Sequence, residues 1–213
     1  CEVCAVSLEE VQDSLALVAS ISPKIISIEQ NNLNDIWNSV EVISSALGAE
    51  ISGISLVDKM KSNLIELNHK VQNFDTKSIA CIEWIEPLMA AGNWVPELVE
   101  QAGGINLFGV AGKHSPWIDP KELFRLDPEI IIVMPCGYDL NKSLQEMGGL
   151  TNILGWEKLS AVKKNQIYIA DGNQYFNRPG PRLINSLEIL IEIIHSGRIS
   201  FGHKGKGWIR YNL

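Results

Sequence analysis

The chain has 213 residues, 46% of them hydrophobic and 20% charged, the balance of an ordinary globular protein with enough length for a sizeable core. Its net charge of −7 argues against a broad nucleic-acid surface. No apolar run approaches the roughly 20 residues of a membrane-spanning helix, and no basic-then-apolar leader opens the sequence, so it reads either as cytosolic or as lacking its targeting segment.

Cys1 and Cys4 form a C-x-x-C, followed much later by Cys81 and Cys136. A single such pair without a second pair or nearby histidines is a weak zinc signal, and a redox pair normally sits between a strand and a helix. The plain reading of these cysteines is small, partly buried side chains. An N-terminal Cys1 is also what a lipidated mature protein would carry.

Residues 7–20 read as a helix, with Ser7 as cap and Glu10 completing a capping box. Residues 24–28, Lys-Ile-Ile-Ser-Ile, read as a short strand. Residues 32–47 read as a second helix, with Leu33, Ile36, Trp37, Val40, Ile43 and Leu47 on one stripe and Gly48 as its stop. Residues 50–73 contain no proline, and Ile54, Val57, Met60, Leu64, Leu67 and Val71 keep a helical period. At 1.5 Å per residue this is about 36 Å of helix, long enough to act as a rod between two halves.

Beyond Asp75 the pattern restarts. Residues 78–82 read as a strand, 94–102 as a helix stopped by Gly103-Gly104, and 105–118 as a glycine-rich loop. Residues 119–126 read as a helix with Asp119 as cap and Pro120 in its first position. A buried strand at 130–134, a helix at 139–147, a strand at 166–170 and an amphipathic helix at 181–195 follow. His195 then complements that helix's C-terminus. Residues 197–213 carry Arg198, Lys204, Lys206 and Arg210 and no acid, and read as a solvated basic terminus.

Strands alternating with helices predict an α/β fold with a parallel sheet and a ligand site beyond the strands' carboxyl ends. Before the rod there is one strand with two or three helices, too little for a covered sheet, so the first lobe reads as incomplete. The strand ends carry the informative residues: Glu83 and Trp84 after the first strand, Tyr138 after the second, and Tyr175, Phe176 and Arg178 after the third. The 105–118 loop adds His114 and Trp117, and Trp94 stands at the start of its helix. Flat, rigid aromatics on loops suit a broad ligand held by stacking. A lone loop tryptophan is more often a lid over the core, but several at adjacent strand ends make a pocket the better reading. No G-x-S-x-G, H-E-x-x-H, G-x-x-x-x-G-K or G-x-G-x-x-G occurs. Glu83 lacks a visible partner as a general base, so binding without catalysis is the simpler expectation.

The strand ending in Glu83-Trp84 is followed by Glu86-Pro87, then by Gly92-Asn93-Trp94-Val95-Pro96-Glu97-Leu98 and Gly103-Gly104. Further on come Ser115-Pro116-Trp117-Ile118-Asp119-Pro120 with Glu122-Leu123, Leu126-Asp127-Pro128-Glu129-Ile130, and Tyr175-Phe176-Asn177-Arg178-Pro179-Gly180-Pro181-Arg182. In this order of parts the chain resembles the periplasmic-type cobalamin-binding proteins of ABC importers, whose superfamily also binds siderophores, haem and metals. The resemblance runs from Cys1 to about residue 200. It implies two Rossmann-like α/β lobes joined by one long helix, with the ligand gripped between them without large hinge closure and without catalysis.

On that resemblance residues 1–49 are a partial N-terminal lobe, 50–73 the connecting helix, 74–196 the C-terminal lobe and 197–213 a basic tail. The implied transported ligand is cobalamin or a related corrinoid, with a ferric siderophore or haem as the alternative; no catalytic cofactor and no structural metal is expected. A haem binder would use Tyr138, Tyr175 or His114 as iron ligand. The resemblance implies corrin packing for Trp117, ligand-facing positions for Glu83 and Trp84, and an aromatic pair at the ligand's other edge for Tyr175 and Phe176. Trp94, Tyr138 and Arg178 complete the candidate ligand-binding set. Asp119 and Glu122 match exposed acids that, in such proteins, pair with arginines on the ABC permease. An extracytoplasmic location follows by resemblance alone. Such proteins place a strand, a helix and further strands ahead of a segment like Cys1-Glu2-Val3-Cys4, so a fragment or a reduced relative is expected, its first sheet exposing an edge another chain could cover. An intracellular corrinoid-binding accessory protein is the reading from a different class.

Overall fold

The computed structural model describes residues 7–18 and 23–212; the Cys1–Cys4 motif lies outside them. Helix α1, Leu8–Val18, starts at the expected capping box: Ser7 N–H donates to Glu10 Oε2 (2.8 Å), and Glu10 N–H donates to Ser7 Oγ (3.2 Å). Residues 23–30 form no strand. The isoleucine pattern there predicts one, but a strand exists only through its ladder, and no described strand lies beside it. Helix α2, Leu33–Ala46, has a second capping box between Asn32 and Asp35.

Helix α3, Glu50–Val71, is the predicted rod, 22 residues and about 33 Å long. Its inward stripe is Gly53, Val57, Met60, Leu67 and Val71. Ile54, placed on the stripe by periodicity, is exposed instead. The cause is the crossing with α2: a Cβ on Gly53 would stand 1.9 Å from Ser44 Oγ and 2.4 Å from Ser44 Cβ. Backbone contact that close fixes the rotation of α3 and turns Ile54 outward. Past the crossing, Ile43 and Leu47 of the α2 stripe stay exposed, because no described residue covers them.

The central sheet runs β2–β1–β4–β5–β6, with β3 also pairing β1. Strands β1 (Ser78–Trp84), β4 (Ile130–Val133) and β5 (Ile167–Ala170) are mutually parallel. Strand β2, Met89–Ala90, runs antiparallel along the later half of β1, and β3, Ile105–Asn106, runs parallel along its start. Helix α4 (Val95–Gln101) lies between β2 and β3 in sequence, and α5 (Pro120–Leu126) precedes β4. Helices α6 (Leu140–Glu146), α7 (Gly148–Thr151) and α8 (Ser160–Lys163) lead to β5, and α9 (Leu183–Ile194) follows it. No described helix is long and apolar enough to cross a membrane.

Strand β4 reads Ile-Ile-Ile-Val and is buried on both faces, as a parallel strand between two helical layers must be. Ile130 and Ile132 join the core under α3, α4 and α9, while Ile131 and Val133 join the opposite core with Leu123, Met147 and Leu150. Helix α2 is tied to the first layer through Leu33 N–H, which donates to Glu97 Oε2 of α4 (2.8 Å).

The basic terminus is not a solvated tail. Residues Trp208–Arg210 form β6, antiparallel to β5 at the sheet edge. Charge counting hides this, because the arginine is used in packing: Arg210 lies 5.3 Å from the Tyr168 ring and donates to its hydroxyl (3.0 Å). The anchor is Glu192 of α9, only 3% exposed. Its carboxylate accepts the Trp208 indole N–H (2.5 Å) and the backbone N–H groups of Phe201, Gly202 (2.7 Å) and His203 (3.3 Å). Burial alone would raise this carboxyl's pKa, but the Trp208, Phe201, His203 and Gly202 donors outweigh it and hold the group below the ordinary 4.5.

His195 also departs from expectation. It is buried and bonds Ala102 O through Nε2 (2.8 Å), joining the ends of α9 and α4. Burial lowers its pKa, with Lys77 and Arg198 adding to the effect against the Ala102 bond, so it acts as a neutral crosslink and not as a cation at the helix end.

Two outcomes follow from this packing. Gly53→Val should destabilise the protein by about 1–3 kcal/mol in chemical denaturation, since the added side chain forces α2 and α3 apart; Ser44→Gly should recover part of that loss. Glu192→Ala should cost about 3 kcal/mol or more by leaving several buried donors unpaired. Because the folded-state pKa is depressed, the Glu192 contribution is complete above the ordinary carboxyl value and fades as pH falls through the lower, folded-state one. Thermal melts across that acid range should therefore show a shallower pH dependence for Glu192→Gln than for the wild type.

Candidate functional site

The carboxyl ends of β1, β4 and β5 open together on a cleft of about 520 Å³. This is where an open parallel sheet presents its ligand site, and the volume suits a small molecule. Glu83 enters it from the end of β1, Cys136 from the loop after β4, and Phe176 and Asn177 from the turn after β5. Asn93, Trp94 and His114 line a second side. The unpaired segment 28–31, with Glu29, Gln30 and Asn31, forms the facing wall.

Glu83 and Trp84 do not share this cleft. Consecutive strand residues point to opposite faces. Glu83 continues the row of Ile79 and Cys81 on the α4 and α9 side, while Trp84 continues the row of Ala80 and Ile82 on the other. There Trp84 packs against Tyr138, ring centroids 5.4 Å apart, beside a separate hollow of about 130 Å³ that includes Glu146 and Gly149. The strand-end aromatics thus divide between two faces.

The other candidates separate in similar ways. Trp94 precedes α4, is 7% exposed and lines the cleft. Phe176 is buried at the cleft floor. Tyr175, its neighbour, stacks edge-on against His203 at 6.1 Å, and its carbonyl accepts the Ser186 hydroxyl, so it serves the core. Arg178 is exposed and folds back on Asn173, donating from Nε to the backbone oxygen (2.8 Å). Trp117 bridges Met89 through its backbone and is 64% exposed, outside the cleft lining. Asp119 caps α5 by accepting Lys121 N–H (2.9 Å), and Glu122 is already paired with Arg125 (2.6 Å), both on the exposed start of that helix.

The polar centre of the cleft is Glu83. Its Oε2 accepts the Ser115 hydroxyl (2.8 Å), and the same hydroxyl oxygen accepts Gly92 N–H (3.0 Å). Burial raises the Glu83 pKa, against the lowering effects of Ser115, His114 and the Gly92 backbone. The two loops carrying these groups are pressed together. Asn93 N–H donates to Lys113 O (2.7 Å), and a Cβ at Gly92 would stand 2.6 Å from both Lys113 O and Ser115 N. Only glycine permits that approach. On the β5 side, Asp171 caps the π-helical turn Gly172–Phe176 through Gln174 N–H (2.8 Å). A Cβ on Gly172 would come within 2.2 Å of Pro135 O, so this turn sits directly on the β4 loop.

Sequence reasoning passed over Gln30, Asn31, Asn93 and Asn177, which give the cleft its amide character. Asn93 and Asn177 stand inside the Gly92–Leu98 and Tyr175–Arg182 motifs, each directly beside an aromatic, Trp94 and Phe176. Asn177 Oδ1 is buried with no protein partner. Among the described residues, no Lys or Arg lines the cleft and no cluster of three or more His, Cys, Asp or Glu is suited to a metal ion.

The family described as "Periplasmic binding protein" matches residues 7–173. The ABC transporter substrate-binding lipoprotein YvrC of Bacillus subtilis (strain 168) is 25% identical over 172 residues, covering 78% of this chain and 52% of that protein. The chain therefore spans about half the length of this curated relative. Among solved structures, an ABC transporter substrate-binding protein from Listeria monocytogenes EGD-e superposes with a TM-score of 0.74 at 14% identity, covering 88% of this chain and 73% of that one. S. aureus IsdE complexed with heme gives 0.73 at 16% identity, with 88% and 73% covered. The periplasmic vitamin B12 binding protein BtuF of Vibrio cholerae gives 0.63 at 18% identity, with 86% and 69% covered. At these identities the structural likeness is one of fold.

Cys81 reports on the integrity of β1 beneath the cleft. Burial, and secondarily the Glu83 carboxylate, push its thiol up to about 12. Iodoacetamide near pH 8 should leave Cys81 unmodified in the native protein and label it once the chain unfolds, as read by peptide mass spectrometry. Native-state labelling would mean that β1 opens.

Proposed function

The chain belongs to the periplasmic binding protein family, and from that premise we propose that it is the solute-receiving component of an ABC importer, binding its ligand without catalysis. The observation that carries this reading is the cleft at the ends of β1, β4 and β5, faced by residues 28–31. In this reading residues 50–73 connect two lobes, 1–49 belonging to one and 74–196 to the other. The protein works outside the cytoplasm, in keeping with a relative that is a lipoprotein. The exposed start of α5, with Asp119 and Glu122, faces the permease; there Arg125 would have to release Glu122 to a permease arginine.

For the ligand we favour a corrinoid. Gln30, Asn31, Asn93 and Asn177 offer paired donors and acceptors that match an amide-fringed macrocycle, and the described cleft residues include no Lys or Arg to hold an acidic ligand. Trp94 and Phe176 supply its apolar contact. One observation favours haem as a second reading. His114 lines the cleft, and its Nδ1 lies 3.0 Å from Ser115 O, which favours the tautomer with a free Nε2 lone pair. A ferric siderophore is the third possibility within the same fold.

Calorimetric titration with cyanocobalamin should give saturable heat, and Trp94→Ala should weaken binding by about tenfold. No saturable heat would overturn the corrinoid assignment. A Soret band on haemin addition that disappears in His114→Ala would transfer the site to haem.

A further inference from the structure

Two acids border the cleft. Glu29 is exposed on the facing wall, whereas Glu83 is partly buried at the end of β1. No ion pair to Glu83 forms among the described residues, and none of the described residues lining the cleft is Lys or Arg. The protein controls this carboxylate through a hydroxyl. Ser115 is 4% exposed, and its oxygen already accepts Gly92 N–H. Its proton therefore points to Glu83 Oε2, 2.8 Å away. A group that receives a proton in this way is held as an acceptor. A carboxylate has about four acceptor positions, so capacity remains for a ligand.

A carboxylate held by a hydroxyl, with no Lys or Arg among the described cleft residues, makes one demand of the cleft's contents. A ligand edge bearing N–H or O–H groups completes its hydrogen bonding. A ligand carboxylate would set two acceptors face to face in a partly desolvated site, which is strongly unfavourable. Burial raises the pKa of Glu83, against the lowering effects of Ser115, His114 and the Gly92 backbone, so its ionised form gains from further donors.

We propose that Glu83, positioned by Ser115, sorts the ligands of this cleft: it admits an amide, hydroxyl or ammonium edge and rejects a carboxylate edge. This rests on the cleft being the ligand site, but not on the ligand being a corrinoid.

Two matched probe pairs test it near neutral pH. The first is cyanocobalamin and its monocarboxylic acid, in which one peripheral amide is hydrolysed. The second is ferrioxamine B, with a free ammonium, and its N-succinyl derivative, which ends in a carboxylate. In any pair that binds, the carboxylate member should bind the wild type at least about tenfold more weakly. Glu83→Gln should narrow that ratio to within about threefold, and Ser115→Ala should narrow it in part. A ratio between two ligands is insensitive to a general loss of folded protein, so it separates selection from structural damage; a thermal melt checks each variant. Equal or tighter binding of the carboxylate member to the wild type overturns the proposal, as does an unchanged ratio in folded Glu83→Gln. If neither pair binds, the reading of the cleft as a site for these ligands fails, and the proposal fails with it.

Discussion

The parallel pairing of β1, β4 and β5 is the constraint from which the rest of the structure follows. β4 has neighbours on both edges and helices on both faces, so its four residues leave no surface to water. Such a strand needs aliphatic side chains throughout, and the Ile-Ile-Ile-Val run supplies them. The register of Ile79 to Val133 across β1 and β4 then brings Glu83 level with the loop after β4, whose Cys136 N–H donates to Glu83 O (3.1 Å). The cleft exists because three parallel strands end together, and every loop that lines it begins from that common edge.

Those loops are held by contacts that tolerate almost no substitution. Gly92 lets the β2–α4 loop lie against residues 113–115, and Gly172 lets the π-helical turn lie on the β4 loop. Ser115 joins the first of these contacts to Glu83, so a packing requirement and a chemical one meet in a single hydroxyl. A site formed in this way is preorganised. A ligand in this cleft would meet groups whose positions are fixed by backbone approach, leaving less ordering to be done on binding.

Much of the fold was legible in the sequence because its signals are local. Asn32, Asp119 and Asp139 announce helix starts through short side chains beside apolar periods, and each does cap its helix. The Ile130 run announces the central strand. The failures arise where a distant partner decides. Lys24 to Ile28 has strand composition but no described neighbour to pair with. Trp208 to Arg210 looks like a charged tail until Tyr168 and Glu192 are brought to it by the fold. Among the candidate site residues, Glu83, Trp94 and Phe176 line the cleft and Trp84, Trp117, Tyr138, Tyr175 and Arg178 do not. For Trp84 the strand's period of two already forbade sharing a face with Glu83; for Tyr175, only the fold reveals that Ser186 and His203 claim it.

The stabilising contacts and the proposed selection lie at opposite ends of the same sheet. At the amino ends of the strands, Lys77 Nζ donates to Ile194 O (2.8 Å), Ser78 N–H to Glu129 Oε2 (3.0 Å), and His195 bonds Ala102 O (2.8 Å). These contacts fasten β1, β4, α4 and α9 into one block. At the carboxyl ends, polar groups keep spare capacity instead: Glu83 has acceptor positions beyond Ser115, and Asn177 Oδ1 has no protein partner. Unsatisfied polar groups are costly in a protein interior, and a ligand in the cleft would satisfy Asn177 Oδ1 against a firm block behind it. The distribution of hydrogen bonds, more than the count of aromatics, is therefore what supports the proposed ligand site at the carboxyl ends of the strands.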